Sequence, residues 1–186
     1  QEYADVTPEW FKLYVGLESG ATRICAWDDS LVPGILQIPE YAAAVFREGA
    51  LDGMVSVERR VKLRMERKER VLARNPAPTI TAVIGEGALA RHVGGRDAMA
   101  RQRTHLCELA ESPNITVMVL PFAAGAHRAM TGAFTVLDFD HDDDPNLVYV
   151  EAMVGGRYLE KPEELARYRA AWDTITQRSI PIGAYQ

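Results

Sequence analysis

Between Pro113 and Glu160 the chain carries three apolar runs, Ile115–Leu120, Ala133–Phe139 and Leu147–Glu151, each too short for a helix. They are rich in Val, Ile, Phe, Thr and Tyr, side chains that suit a pleated, half-buried surface. The stretches between them, Pro121–Gly132 and Asp140–Asn146, show no helical pattern. Connections of that length suit antiparallel neighbours, because parallel neighbours need a longer crossover. A fourth piece, Arg157–Leu159, follows Gly155-Gly156. Together these pieces predict a meander forming the middle of one sheet, with the remaining chain as its cover. The expected fold is α+β, one mostly antiparallel sheet of about 4–6 strands covered by helices. A single domain is expected to span residues 1–186.

With 186 residues, 47% hydrophobic and 25% charged, the chain can close one good core. No run approaches the roughly 20 apolar residues of a membrane span. No amino-terminal stretch is basic and then apolar in the manner of a secretion signal. The expected setting is cytoplasmic, without membrane contact. Cys25 and Cys107 lack metal-type spacing and read as buried free thiols. Asn114-Ile115-Thr116 matches a glycosylation acceptor by chance, since it opens a predicted core strand. The chain begins at Gln1 and opens on a helical pattern, which predicts a fragment or a processed product.

Helical patterns fill most of the rest. Thr7-Pro8-Glu9 reads as a helix start, with Trp10, Leu13, Tyr14 and Leu17 on one face and Gly20 at the end. Ala21–Trp27 alternates weakly and reads as an edge strand. Pro33-Gly34 forces a turn, and Pro39-Glu40 opens a short helix over Tyr41–Glu48. Ser56–Arg74 is the longest helical pattern, with Val57, Val61, Met65 and Leu72 on one face. Asn75-Pro76-Ala77-Pro78 stops it. Ile80–Ile84 is a strand and Glu86–Val93 a short helix. Asp97 caps the next helix, whose inner face carries Met99, Leu106, Leu109 and Ala110. A last helix starts at Pro162, carries Leu165, Tyr168, Trp172 and Ile175 on one face, and ends before Pro181 and Gly183.

The net charge of -5 is uneven: residues 57–74 hold eight Arg or Lys and three Glu, a local +5. Such a run could contact phosphates, but beside an apolar stripe it reads as a solvated helix face, supported by Glu58/Lys62 and Glu66/Arg70 at four-residue spacing. The segment Tyr41–Val61 loosely imitates a helix-turn-helix, with a turn too long and a second helix poor in Ser, Gln and Asn. Direct DNA reading by these residues is therefore not expected. Gly85-Glu86-Gly87 follows a strand and precedes a helix, yet it lacks the third glycine and the Lys-Ser/Thr pair of a phosphate cradle. Asp138, Asp140 and Asp142 alternate like the start of a calcium loop, but Asp143 and Tyr149 stand where such a loop needs Gly and Glu. No metal and no cofactor are expected. There is no Gly-x-Ser-x-Gly elbow, and neither cysteine has a base beside it in sequence. Of His92, His105, His127 and His141, His127 stands out, because it lies beside Arg128 in the Gly125–Gly132 loop.

Several strings, taken in order, resemble a known family. They are Leu17-Glu18 with Ala21, then Val32-Pro33-Gly34-Ile35-Leu36-Gln37 with Pro39-Glu40-Tyr41-Ala42. Arg64 and Arg67 follow, then Glu86 with Ala88-Leu89, and Val93-Gly94-Gly95. The last are Pro113-Asn114-Ile115, Val119-Leu120-Pro121-Phe122 with Gly125 and His127, Gly132-x-Phe134, and Tyr149-Val150-Glu151. The chain resembles the carboxy-terminal DUF5753-type domain of actinobacterial, XRE-type helix-turn-helix regulators. Ile38, Ala44 and Lys68 depart from the residues usual at those places. The resemblance implies gene regulation. It implies DNA contact only through an amino-terminal domain that these residues do not include, and it carries over no ligand and no catalytic residue.

Three functional expectations follow. The first is a sensory or interaction domain that presents the Pro121–Gly132 loop to a small molecule or a partner protein. Its candidate contacts are His127, Arg128, Tyr149 and Glu151, with Trp27 and Gln37. Against this, Trp27 and Tyr149 read equally well as core. The second is a small isomerase- or cyclase-type enzyme on the same scaffold, with His127, Glu151 and Glu86 as candidate catalytic groups. The third is a homodimerisation module.

Overall fold

In the computed structural model, residues 9–49, 56–140, 145–152 and 155–185 are described. Their element order is α1 (Glu9–Gly20), β1 (Arg23–Asp28), α2 (Pro39–Glu48), α3 (Val57–Leu72), β2 (Thr79–Gly85), α4 (Glu86–Ala90), α5 (Arg96–Leu109), β3 (Ile115–Leu120), β4 (Phe134–Asp138), β5 (Leu147–Glu151), β6 (Gly156–Leu159), α6 (Pro162–Thr176) and β7 (Ile180–Pro181). Short 3₁₀ turns form at Gly34–Leu36, Phe122–Ala124 and Ile182–Ala184.

Among the described residues, seven strands make one open mixed sheet in the order β6-β5-β4-β1-β2-β3-β7. β1, β2 and β3 run parallel, and the other neighbours are antiparallel. The fold is α+β as expected, but the sheet is larger than expected and its centre is parallel. The predicted meander survives only as β4-β5-β6, at one side. β3 is not the neighbour of β4, because β1 and β2 lie between them. The Pro121–Gly132 stretch therefore crosses that pair, and Trp27 of β1 ties it down by donating its indole N–H to the Ala129 carbonyl at 3.0 Å.

β1 is a central strand, not an edge. Residues Ile24 to Trp27 are all buried, because both faces of the sheet are covered. A strand buried on both sides loses the polar–apolar alternation by which strands are recognised. Alternate residues still point to opposite faces. Ile24, Ile80, Ala82, Ile84, Val117, Val119, Leu137, Leu147 and Tyr149 build one core with α1 to α5. Cys25, Trp27, Val83, Leu120, Phe134, Val136, Val148 and Leu159 build the other with Trp172 and Ile175 of α6.

The helices follow the predicted order with altered faces. In α1 the buried positions are Tyr14, Val15 and Glu18, whereas Leu13 is 54% exposed. Thr7 and Pro8 lie outside the described residues, as do His141, Asp142 and Asp143. In α3 the fully buried side chains are Leu63, Arg67 and Val71, while the predicted stripe of Val57, Val61, Met65 and Leu72 is only half-buried. Asp97 sits inside the first turn of α5, and Gly95 takes the N-cap position without a side-chain cap. Cys25 is buried, but Cys107 is exposed; both are free. No helix among the described residues is long and apolar enough to cross a membrane.

Candidate functional site

α3 places Arg60, Arg64 and Arg67 at intervals of four and three residues, so the three share one face. That face turns toward the sheet, opposite to the solvated face expected from sequence. The reason for Arg67 is a buried partner. Its Nε donates to Glu18 Oε2 at 2.6 Å and its Nη2 to Glu18 Oε1 at 2.7 Å, with side-chain exposures of 8% and 1%. Burial acts to lower the Arg67 pKa, but the Glu18 carboxylate outweighs it and raises the value above the ordinary one. Tyr14 adds its hydroxyl to Glu18 Oε1 at 2.9 Å, and its ring stacks on Tyr149 with centroids 4.2 Å apart. Burial, and then the Glu18 charge, pushes the Tyr14 phenol well up.

Arg64 is held differently. Its Nη1 donates to the neutral Gln37 Oε1 at 2.6 Å, and its guanidinium lies 4.2 Å from the Phe46 ring centroid. It closes no ion pair among the described residues. Burial, and then Arg67, lowers its pKa to about 10, so it remains cationic at neutral pH. Among the described residues Arg60 reaches the Phe46 ring, at 5.6 Å.

The turn opposite these arginines is clamped. Gln37 Nε2 donates to Val32 O at 2.7 Å, and Val32 N donates to the Tyr41 hydroxyl at 3.0 Å. The buried Gln102 of α5 takes the Ile38 N–H on its Oε1 and donates Nε2 to Leu36 O, both at 2.8 Å. Lys68 Nζ donates to Gln37 O at 3.1 Å and lies 2.6 Å from His105 Nε2. Every polar group of the Pro33–Gln37 edge named here is spoken for, so the edge is rigid. Gly34 keeps it low: a Cβ there would meet Arg67 Nη1 at 3.6 Å and Arg64 Nε at 3.8 Å.

These parts enclose a cleft of about 690 Å³. Ile24, Ala26, Trp27, Phe134, Thr135 and Tyr149 of the sheet line it, with α1, the Pro33–Gln37 turn, α2 and α3 around them. Asp28 lines it too, but its Oδ1 already accepts the Ser30 and Leu31 N–H groups at 2.8 and 3.0 Å. Glu151 stands exposed at the rim, and the surrounding protein raises its pKa while Arg64 and Arg67 oppose that. The Tyr149 hydroxyl is sealed from solvent without a hydrogen-bond partner among the described residues, and burial raises its pKa. Size, apolar walls and a few fixed polar groups are the marks of a small-molecule pocket.

Of the residues singled out from sequence, Trp27, Gln37, Tyr149 and Glu151 line this one cleft. Three do not. His127 packs edge-on against Trp27 at 5.4 Å, with its Nδ1 buried and unpartnered. Burial, then Arg178, lowers its pKa. Arg128 is exposed on the same loop. Glu86 takes the Phe122 N–H at 2.6 Å. Gly85 is a glycine for packing, since a Cβ there would sit 2.7 Å from Asp29 Cα. Asp138 is occupied by Arg169 at 2.6 Å and Arg23 at 3.9 Å. Among the described residues no three His, Cys, Asp or Glu side chains gather as a metal would require. Composition and periodicity missed Glu18, Arg60, Arg64 and Phe46 altogether. The usable signal was the 60-64-67 spacing of arginines, which reads as a solvated charge run until an acid is found buried opposite.

Residues 11–183 match the family model described as Domain of unknown function (DUF5753), and the chain belongs to that family. No curated protein and no solved structure matches it.

Proposed function

We propose that this domain is the receiver of a transcriptional regulator and that its cleft takes up a small molecule. The regulatory setting rests on the sequence strings that resemble helix-turn-helix regulators; DNA contact would belong to another part of such a protein. The observation that carries the receiver reading is the half-buried Arg64, which opens on an apolar cleft of about 690 Å³ with no acidic partner among the described residues. A cation so placed, beside a rigid turn, is an arrangement ready for a ligand. An effector can act only by binding two conformations of the regulator unequally. α2 and α3, which wall the cleft, are the elements whose positions a ligand would bias.

Native mass spectrometry after incubation with a small-molecule extract of the source cells tests this reading. The expected result is a saturable adduct on the natural chain that is lost in Val45→Trp, which fills the cleft from α2. An adduct of equal strength on both chains, or none on either, contradicts it.

Glu151 favours a second reading. It is a carboxyl with raised pKa at the mouth of an apolar pocket, suited to moving a proton in an isomerase or cyclase reaction. Glu86 and His127 do not line the cleft, so Glu151 would act there without them. Appearance of an isomer of the bound compound, lost in Glu151→Gln, would favour this reading over the sensory one. A protein-partner or homodimer role is the remaining proposal, read out by sedimentation.

A further inference from the structure

Resting on the reading of the cleft as a receiver, we infer that its ligand is a small organic acid with a flat apolar body, its anionic head seated on Arg64 and Arg60. The charges in the cleft point there one by one. Arg67 is used up, because two of its donors already hold the Glu18 carboxylate in a bidentate pair. Arg64 spends one donor on the neutral Gln37 amide, and its remaining N–H groups have no protein acceptor among the described residues. Arg60 lies 5.6 Å from the same Phe46 ring and closes no ion pair among the described residues. A guanidinium fork is matched in shape and charge by a carboxylate, sulfonate or phosphate.

Among the described residues the acids nearby do not take that place. Asp28 is satisfied by two backbone N–H groups, and Asp29 accepts the Ser30 hydroxyl at 3.0 Å. Glu151 feels Arg64 and Arg67 but closes no ion pair with either. The space over Arg64 is open on the side of residue 34, a glycine whose added Cβ would lie 3.8 Å from Arg64 Nε. The body of the ligand then meets Ala26, Phe46 and Tyr149, walls that reward flat apolar area.

Two fluorescent probes with nearly one skeleton test this. The first, 1-anilinonaphthalene-8-sulfonate, carries the acid; the second, N-phenyl-1-naphthylamine, is the same body without it. The expected result is that the sulfonate binds the natural chain about tenfold more tightly or better, the worth of a charge-assisted hydrogen bond. Arg64→Met should bring the two affinities together while leaving the neutral probe unchanged. Arg60→Met, which removes a side chain whose contact among the described residues is the Phe46 ring, should narrow the gap as well. Gly34→Leu, which keeps both arginines and covers Arg64, should do the same as Arg64→Met. Equal affinities in the natural chain, or a gap that survives both Arg64→Met and Gly34→Leu, would overturn the inference while leaving the receiver reading standing. Binding of both probes that Val45→Trp does not weaken would overturn the receiver reading itself, and this inference with it.

Discussion

The two faces of the sheet are made from alternate residues of the same strands, yet they are held in different ways. The α6 face is apolar: Cys25, Val83, Val136 and Val148 pack against Trp172 and Ile175. The other face is also apolar at its base, but its upper part is a network of Glu18, Arg67, Arg64, Gln37 and Gln102. Apolar packing leaves little space there, a recess of about 100 Å³ beside Cys25, Val136 and Trp172. Directional bonds between long side chains hold helices apart and can leave a cleft between them. One face is held by apolar packing, while the other combines an apolar base with buried polar bonds beside an open cleft.

Breaking the network should have the largest effect. Arg67→Met leaves the buried Glu18 carboxylate without its cation, held by the Tyr14 hydroxyl, and should cost about 3–5 kcal/mol of unfolding free energy in urea titrations. The double change Arg67→Met with Glu18→Leu should recover most of that loss, because the stranded charge is gone. On the α6 face, Ile175→Ala should cost roughly 2–4 kcal/mol, and no second substitution should rescue it, since the loss is a cavity. That contrast in rescue is the sharpest form of the comparison.

A smaller effect is expected where the faces meet the sheet's edge. Gly156 has no room for a side chain: a Cβ would lie 2.5 Å from Tyr149 Cε2. Gly156→Ala should therefore push the Tyr149 ring toward the cleft and cost about 1–3 kcal/mol, the usual cost of overpacking. The near-ultraviolet tyrosine signal should change with it.

The smallest effect concerns pH. Burial, and then the Lys68 ammonium, lowers the His105 pKa, with Glu108 at 3.7 Å opposing. The folded state thus favours neutral imidazole. Its contribution is present above the unfolded value of about 6.5 and is lost as pH falls through the lowered folded value. Unfolding free energy should drop between about pH 7 and pH 5, and His105→Gln, which can still accept from Lys68, should flatten part of that slope. An unchanged slope in the variant would separate His105 from the acid side of the curve.

What the sequence disclosed divides along the same line. The β4-β5-β6 meander was legible because Thr135, Tyr149 and Tyr158 follow strand chemistry with short turns between. The face of α6 was legible because one side of it is wet. β1 was misplaced at an edge because burial on both sides erased its alternation. α3 was misread because Arg67, a charged residue, is 7% exposed, and periodicity treats every arginine as a surface residue. The acid that explains it lies 49 residues away, beyond the reach of any local pattern. Trp27, Gln37, Tyr149 and Glu151 were singled out one by one; packing shows that they line one cleft, with Trp27 and Tyr149 also buried in the core. His127 drew notice for its loop position, and its actual neighbour is the far side of Trp27.

The claim that one face receives and the other holds is tested most directly by nuclear magnetic resonance, titrating the labelled chain with 1-naphthoate. The account predicts that shifts gather on Ala26, Gly34, Phe46, Thr135 and the Arg64 Nε–H group, and leave Ala171 and Ile175 of α6 still. Shifts spread over both faces, or confined to α6 and the 121–132 loop, would contradict it.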